Sequence, residues 1–138
     1  MEKCIMEFKV QMNSAEMSVL ETKKGVAAIV PFSATVESEL FTGKTLPGAV
    51  DVQTIDETGA RHMCAKYMFE GVDRAGTECR LFVENTGDFP TSDLPNPFHT
   101  APVFLTDSDE LDAYFTGKKF RTEGNASEEG LVIKVIEV

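Results

Sequence analysis

The 138-residue sequence predicts an all-β fold: a single antiparallel β-barrel of about eight strands with one short helix. Three observations predict it. Apolar residues recur with period two, not period 3.6. Glycine-bearing turns separate the periodic runs at short spacing, which makes neighbouring strands antiparallel. And 138 residues suffice for one core but not two, so residues 1–138 form one domain. Such a set of strands forms either a closed barrel or a two-layer sandwich, and closure into a barrel is preferred because it removes the unpaired sheet edges. At about eight strands the interior is either filled by side chains or holds one small ligand.

The first run places Cys4, Met6, Phe8, Val10 and Met12 on one face, with Lys3, Glu7, Lys9 and Gln11 on the other. Lys23-Lys24-Gly25 closes a second short segment. A third alternates Val26, Ala28, Val30, Phe32, Ala34 and Val36, and Pro31 within it predicts an edge, a bulge or a bend. From Ala60 to Glu70 the inward set is Met63, Ala65, Tyr67 and Phe69; from Thr77 to Thr86 it is Cys79, Leu81 and Val83. Asp56-Glu57-Thr58-Gly59 and Asp73-Arg74-Ala75-Gly76 read as hairpin loops with a left-handed glycine. Gly87 to Pro102 carries four prolines and reads as an irregular loop, a binding rim or a static crossing. Asp107, with Glu110 three residues on, predicts a helix start leading into Leu111, Tyr114 and Phe115. The last run, Leu131 to Val138, is apolar at nearly every position, which predicts cover on both faces and a subunit interface. Phe41-Thr42-Gly43-Lys44 recurs as Phe115-Thr116-Gly117-Lys118, read as two similar strand starts.

Composition narrows the partners. Lys plus Arg is 13 and Asp plus Glu is 23, a net charge of −10. Such a chain lacks the cations needed to neutralise nucleic-acid phosphates or an anionic membrane surface. The N-terminus MEKCIMEFKV has no signal-peptide pattern, and no apolar stretch reaches membrane-spanning length. Cys4, Cys64 and Cys79 are an odd number without CxxC spacing, so a reducing cytoplasm is the expected location. Asn125-Ala126-Ser127 is then a chance glycosylation match.

Three clusters, in this order and spacing, resemble the family called domain of unknown function 3237. They are Leu46-Pro47-Gly48-Ala49-Val50-Asp51 with Gln53; Ala65-Lys66-Tyr67, Asp73, Gly76 and Val83-Glu84-Asn85-Thr86-Gly87; and Thr100-Ala101-Pro102-Val103-Phe104. The resemblance runs from about Phe41 to Val138 and more loosely over the N-terminal strands. It implies a barrel of the allene-oxide-cyclase-like or calycin-like type and no particular activity. This chain departs from the family pattern at Cys64, Lys66 and His99, where Asp, Arg and Arg are usual. These departures change the charge of any shared lumen site.

Asp51 and Tyr67 are the candidate catalytic residues, and Gln53, Lys66, Asn85 and His99 the candidate ligand-binding residues. Asp51 and Gln53 share a strand face, so an inward carboxylate brings an amide with it. A carboxylate in an apolar lumen has a raised pKa, which suits acid–base work. Tyr67 or Asn85 can donate to a developing oxyanion, and His99 can carry a proton on the proline-rich loop. Each has a plainer alternative: a turn-capping Asp51, a core Tyr67, a strand-end Asn85 and a solvated Lys66. His62 and His99 are isolated, so no metal site is expected. Asp107, Asp109 and Asp112 fail the calcium-loop pattern at Leu111, Asp112 and Lys118. Cys64 has no neighbouring base and reads as an inert core thiol. No phosphate loop, dinucleotide fingerprint or nucleophile elbow is present, and no cofactor is expected.

Three functions fit. The first is a barrel that binds a small, largely apolar molecule. The second is a cofactor-independent isomerase, cyclase or lyase using Asp51. The third is an oligomeric structural module with a filled barrel.

Overall fold

The computed structural model describes residues 2–138. The strands are β1 (Lys3–Met12), β2 (Ser18–Thr22), β3 (Gly25–Glu37), β4 (Phe41–Thr45), β5 (Val50–Ile55), β6 (Arg61–Asp73), β7 (Glu78–Phe89), β8 (Phe98–Thr106), β9 (Phe120–Ser127) and β10 (Gly130–Glu137). One helix, α1 (Asp109–Phe115), lies between β8 and β9. Every pairing is antiparallel, in the order β1-β10-β9-β8-β7-β6-β4-β3, and β3 closes the circle on β1 from Phe8↔Val36 to Met12↔Phe32.

Ten segments make eight staves. β4 and β5 both lie between β3 and β6, so they are two halves of one stave. The break is the Leu46-Pro47-Gly48 turn, where Gly48 takes φ 102°. β2 pairs with β3 alone and carries a hairpin beyond the barrel wall. Pro31 marks the changeover. Before it β3 runs between β2 and β5; after it, between β1 and β4. A residue without an N–H is tolerated where the ladder changes partners.

Alternation fills the interior. Phe8, Phe41, Phe69, Leu81, Val83 and Val135 are almost wholly buried. Phe69 packs against Phe8 at 4.8 Å and edge-on to Tyr67 at 5.6 Å between ring centroids. Burying each such side chain contributes about 1.5–3 kcal/mol. The end of the barrel near α1 is therefore solid, with Leu111 of the helix buried and Phe115 stacked on Phe104 at 4.6 Å.

Ser108, not Asp107, caps α1: its Oγ accepts from Leu111 N at 3.1 Å. Asp107 instead accepts from Arg80 N at 2.8 Å, because at the end of β8 it faces the neighbouring strand. The Ser108 hydroxyl donates to Asp73 Oδ2 at 2.6 Å, while Asp73 Oδ1 accepts from Ala75 N and Thr77 N. One carboxylate thus ties the β6–β7 hairpin to the helix start. The Ser108 hydroxyl and these backbone donors hold its pKa below the ordinary carboxylate value. Ser108→Ala removes both cap and tie, and should cost about 1–2 kcal/mol in chemical denaturation.

Three other expectations are corrected. The irregular segment is shorter than Gly87–Pro102, since β7 continues to Phe89 and β8 begins at Phe98. Gly87 lies under the Thr100 methyl, and Pro102 sits past the last β8–β9 pair, where no N–H is required. The repeated tetrapeptide is not a repeated structure: Phe41–Lys44 lies in β4, whereas Phe115 ends α1 and Gly117 takes φ 77°. Cys64 is half-buried on the outer side of β6 and not a core thiol; Cys79 is the buried one. Both edges of β10 are taken, by β1 and β9, and Ile136 is buried within the chain.

Candidate functional site

At the end of the barrel away from α1, the inward positions turn polar. Asp51 is the second residue of β5 and only 6% exposed. Its Oδ2 accepts from Gln53 Nε2 at 2.7 Å. Gln53 Oε1 accepts from Arg61 Nη1 at 2.5 Å, and Arg61 Nε donates to Ser92 O at 2.8 Å. The Arg61 contact orients the amide, so that its NH2 must face the carboxylate. The chain of bonds links the 90–97 loop to Asp51. Asp51 Oδ1 is buried and has no hydrogen-bond partner among the described residues. Burial pushes the Asp51 carboxyl above its ordinary pKa, against the pull of the Gln53 hydrogen bond and the Arg61 charge.

Tyr67 lies edge-on to Phe32 at 5.1 Å and to Phe8 at 6.0 Å. Burial, and then the Asp51 charge, raise its phenol above the ordinary value. It stays a neutral hydroxyl at any physiological pH. Asn85 is buried in the middle of β7, not at a strand end, and faces Pro102. Its Oδ1 accepts from Thr122 Oγ1 at 2.8 Å. Thr122 also bonds Thr100 Oγ1, and with its own proton committed to Asn85 it must accept from Thr100. Asn85 Nδ2 keeps its protons, with no acceptor among the described residues.

The walls are apolar: Val10, Met12, Phe32, Met63, Leu131 and Ile133 line the pocket together with these polar groups. The recess, open toward Met12, is about 40 Å³. About 10–15 Å³ of such space admits one water, so the recess takes a group of about three heavy atoms.

The structure brings Asp51, Gln53, Tyr67 and Asn85 to this end of the barrel and leaves two expected residues outside. Lys66 is exposed and lies 4.0 Å from Glu84 on the outer face. His99 is exposed in β8, opposite Glu123 of β9, and not on a loop. Both follow from the period of a strand. Lys66 sits between inward Ala65 and Tyr67, and His99 between inward Phe98 and Thr100. Neither can enter without a one-residue slip that would expel its neighbours. Sequence reasoning missed Arg61, Thr100 and Thr122. The two threonines were findable as polar residues at inward positions. Arg61 was not, because its role depends on a hydrogen bond to the carbonyl of Ser92, far along the chain. Among the described residues no group of three His, Cys, Asp or Glu side chains converges to hold a metal.

Fold and site together define a closed eight-stranded antiparallel barrel with an apolar recess carrying one spare carboxylate oxygen. It is similar to a protein of unknown function from Clostridium acetobutylicum, at 20% identity and TM-score 0.78, with 100% of this chain and 99% of that one covered. It is also similar to a conserved protein of unknown function from Rhodopseudomonas palustris, at 22% identity and TM-score 0.76, covering 99% and 96%. A β-barrel-like protein from Acinetobacter baumannii aligns at 14% identity and TM-score 0.75, covering 99% and 94%. These likenesses establish the fold. No family model and no curated protein matches the chain. Among the described residues no helix is long and apolar enough to cross a membrane.

Proposed function

We propose that the barrel end binds a small, largely apolar molecule that offers one hydrogen-bond-donating head to Asp51. The unpartnered Asp51 Oδ1 carries the reading, because a buried carboxylate oxygen without a donor is costly unless something supplies one. The recess of about 40 Å³ limits the head to a hydroxyl, an amino group or a similar unit. Met12, Phe32 and Leu131 then take the apolar body. Kinship with the domain of unknown function 3237 family and residence in a reducing cytoplasm belong to the same proposal. The three motif clusters support the first, and three unpaired thiols the second.

The methyls of Met12 and Met63 are reporters inside the site. Straight-chain alcohols and alkylamines should shift their carbon–proton NMR signals in a saturable way. The matching methyl ethers, which lack a donor, and carboxylates, which Asp51 repels, should not. Equal responses to all four series, or to none, would sink the reading.

A second reading has its own support. A carboxyl with a raised pKa beside a neutral Tyr67 phenol suits acid–base isomerisation, cyclisation or elimination without a cofactor. Asp51 would move the proton and Tyr67 would donate to the developing oxyanion. Loss of turnover in Asp51→Asn, with ligand affinity retained, would favour it over simple binding. The solid packing near α1 supports the third reading, a structural module.

A further inference from the structure

We infer that the outer face of β6, β7 and β8 is a two-fold interface with a second copy of this chain. Cross-strand register arranges this face in three rows. The middle row is apolar: Met68 of β6, Phe82 of β7 and Leu105 of β8 are direct neighbours. Leu105 is 66% exposed, the most of any large apolar side chain among the described residues, and Val103 two residues before it is 58% exposed. On one side of this row Lys66 pairs with Glu84. On the other Glu70 pairs with Arg80, at 3.0 Å. The order of charge is reversed between the two flanks: positive on β6 and negative on β7 in one, negative on β6 and positive on β7 in the other.

That reversal is what a two-fold needs. When two copies pack face to face about an axis along the middle row, each strand lies over its own copy and the flanking rows exchange. Lys66 then faces the Glu70 position of the second copy, and Glu84 faces the Arg80 position. Both contacts join opposite charges, and Met68, Phe82 and Leu105 meet their own equivalents. An apolar centre with a charged rim is the usual anatomy of a stable interface. β8 adds a further reason for cover. Its pairing with β9 ends at Thr100, so the Val103–Thr106 stretch keeps one unpaired edge beside the patch.

Sedimentation equilibrium of the full chain should give twice the 15.2 kDa chain mass. Leu105→Lys should raise the dimer dissociation constant by about thirty-fold or more. Arg80→Glu and Glu84→Arg should each dissociate the dimer alone, since each sets like charges across the axis. Mixed in equal amounts, the two variants should associate again, because each supplies the charge the other has lost. All three positions are exposed or half-exposed, so folding is checked by an unchanged circular dichroism spectrum and a cooperative melt. A wild-type monomer at sub-millimolar concentration overturns the inference. So does a trimer, a dimer indifferent to Leu105→Lys, or a charge-variant mixture that stays monomeric.

Discussion

Phe69→Ala is expected to remove about 3–5 kcal/mol of stability, a large part of the 5–15 kcal/mol typical of a whole domain. Phe69 is fully buried, in contact with Phe8, Tyr67 and, at 6.2 Å between centroids, Phe41. These rings come from β1, β4 and β6, so no one strand can move to close the gap. The thermal midpoint should fall by about 10–20 °C. Phe69→Leu, which keeps most of the volume, should cost less than half as much. A loss below about 1 kcal/mol for the alanine variant would show that the barrel interior collapses readily, against the close packing described for this end.

Asp51→Asn should stabilise the folded chain at neutral pH by about 1–2 kcal/mol while abolishing recognition of a donor head. The folded pKa of Asp51 is raised above its unfolded value, because burial disfavours the charge. Between the unfolded and the folded pKa the native state binds more protons than the unfolded one, so wild-type stability declines as pH rises through that window. Above the folded pKa the whole penalty is present. Below the unfolded pKa, near 4, it is absent, and the variant's advantage should vanish. Binding fails for a geometric reason. Gln53 Nε2 holds one oxygen at the Oδ2 position, so the new amide presents its NH2 where Oδ1 stood, a donor against a donor. A melting series from acid to neutral pH checks the first half, and the methionine NMR titration the second. A lower midpoint for the variant at pH 7 would mean that Oδ1 is satisfied in the wild type.

Much of the fold was legible in one dimension. The alternation through Met63, Ala65, Tyr67 and Phe69 named the inward face of β6 directly, since side chains on a strand can point only two ways. The loops ending at Gly59 and Gly76 were equally plain, with φ of 88° and 81° at positions that resist other residues. Less legible were the ends of elements. Asp107 and Ser108 are both good capping residues, and only the reach of Ser108 to Asp73 and of Asp107 to Arg80 separates them. Gly87 and Pro102 look like loop residues, yet each lies in a strand where its peculiarity costs nothing.

The same division runs through the site. Asp51 and Gln53 could be paired by their spacing, and Lys66 could have been set aside by the same rule, since Tyr67 next to it already claimed the interior. Asn85, Thr100 and Thr122 come from three strands, and their hydrogen-bond chain exists only once β7, β8 and β9 lie side by side. By itself the sequence determined an antiparallel sheet of about eight strands and the apolar face of most of them, because period and turn chemistry are local properties of the chain. That the sheet closes as a barrel depends on β3 reaching β1. Tertiary structure alone decided that the barrel is solid near α1 and keeps a recess of about 40 Å³ at the other end. It also left Asp51 Oδ1 without a partner there. Free volume and hydrogen-bond satisfaction are sums over many strands at once, and no window of sequence contains them.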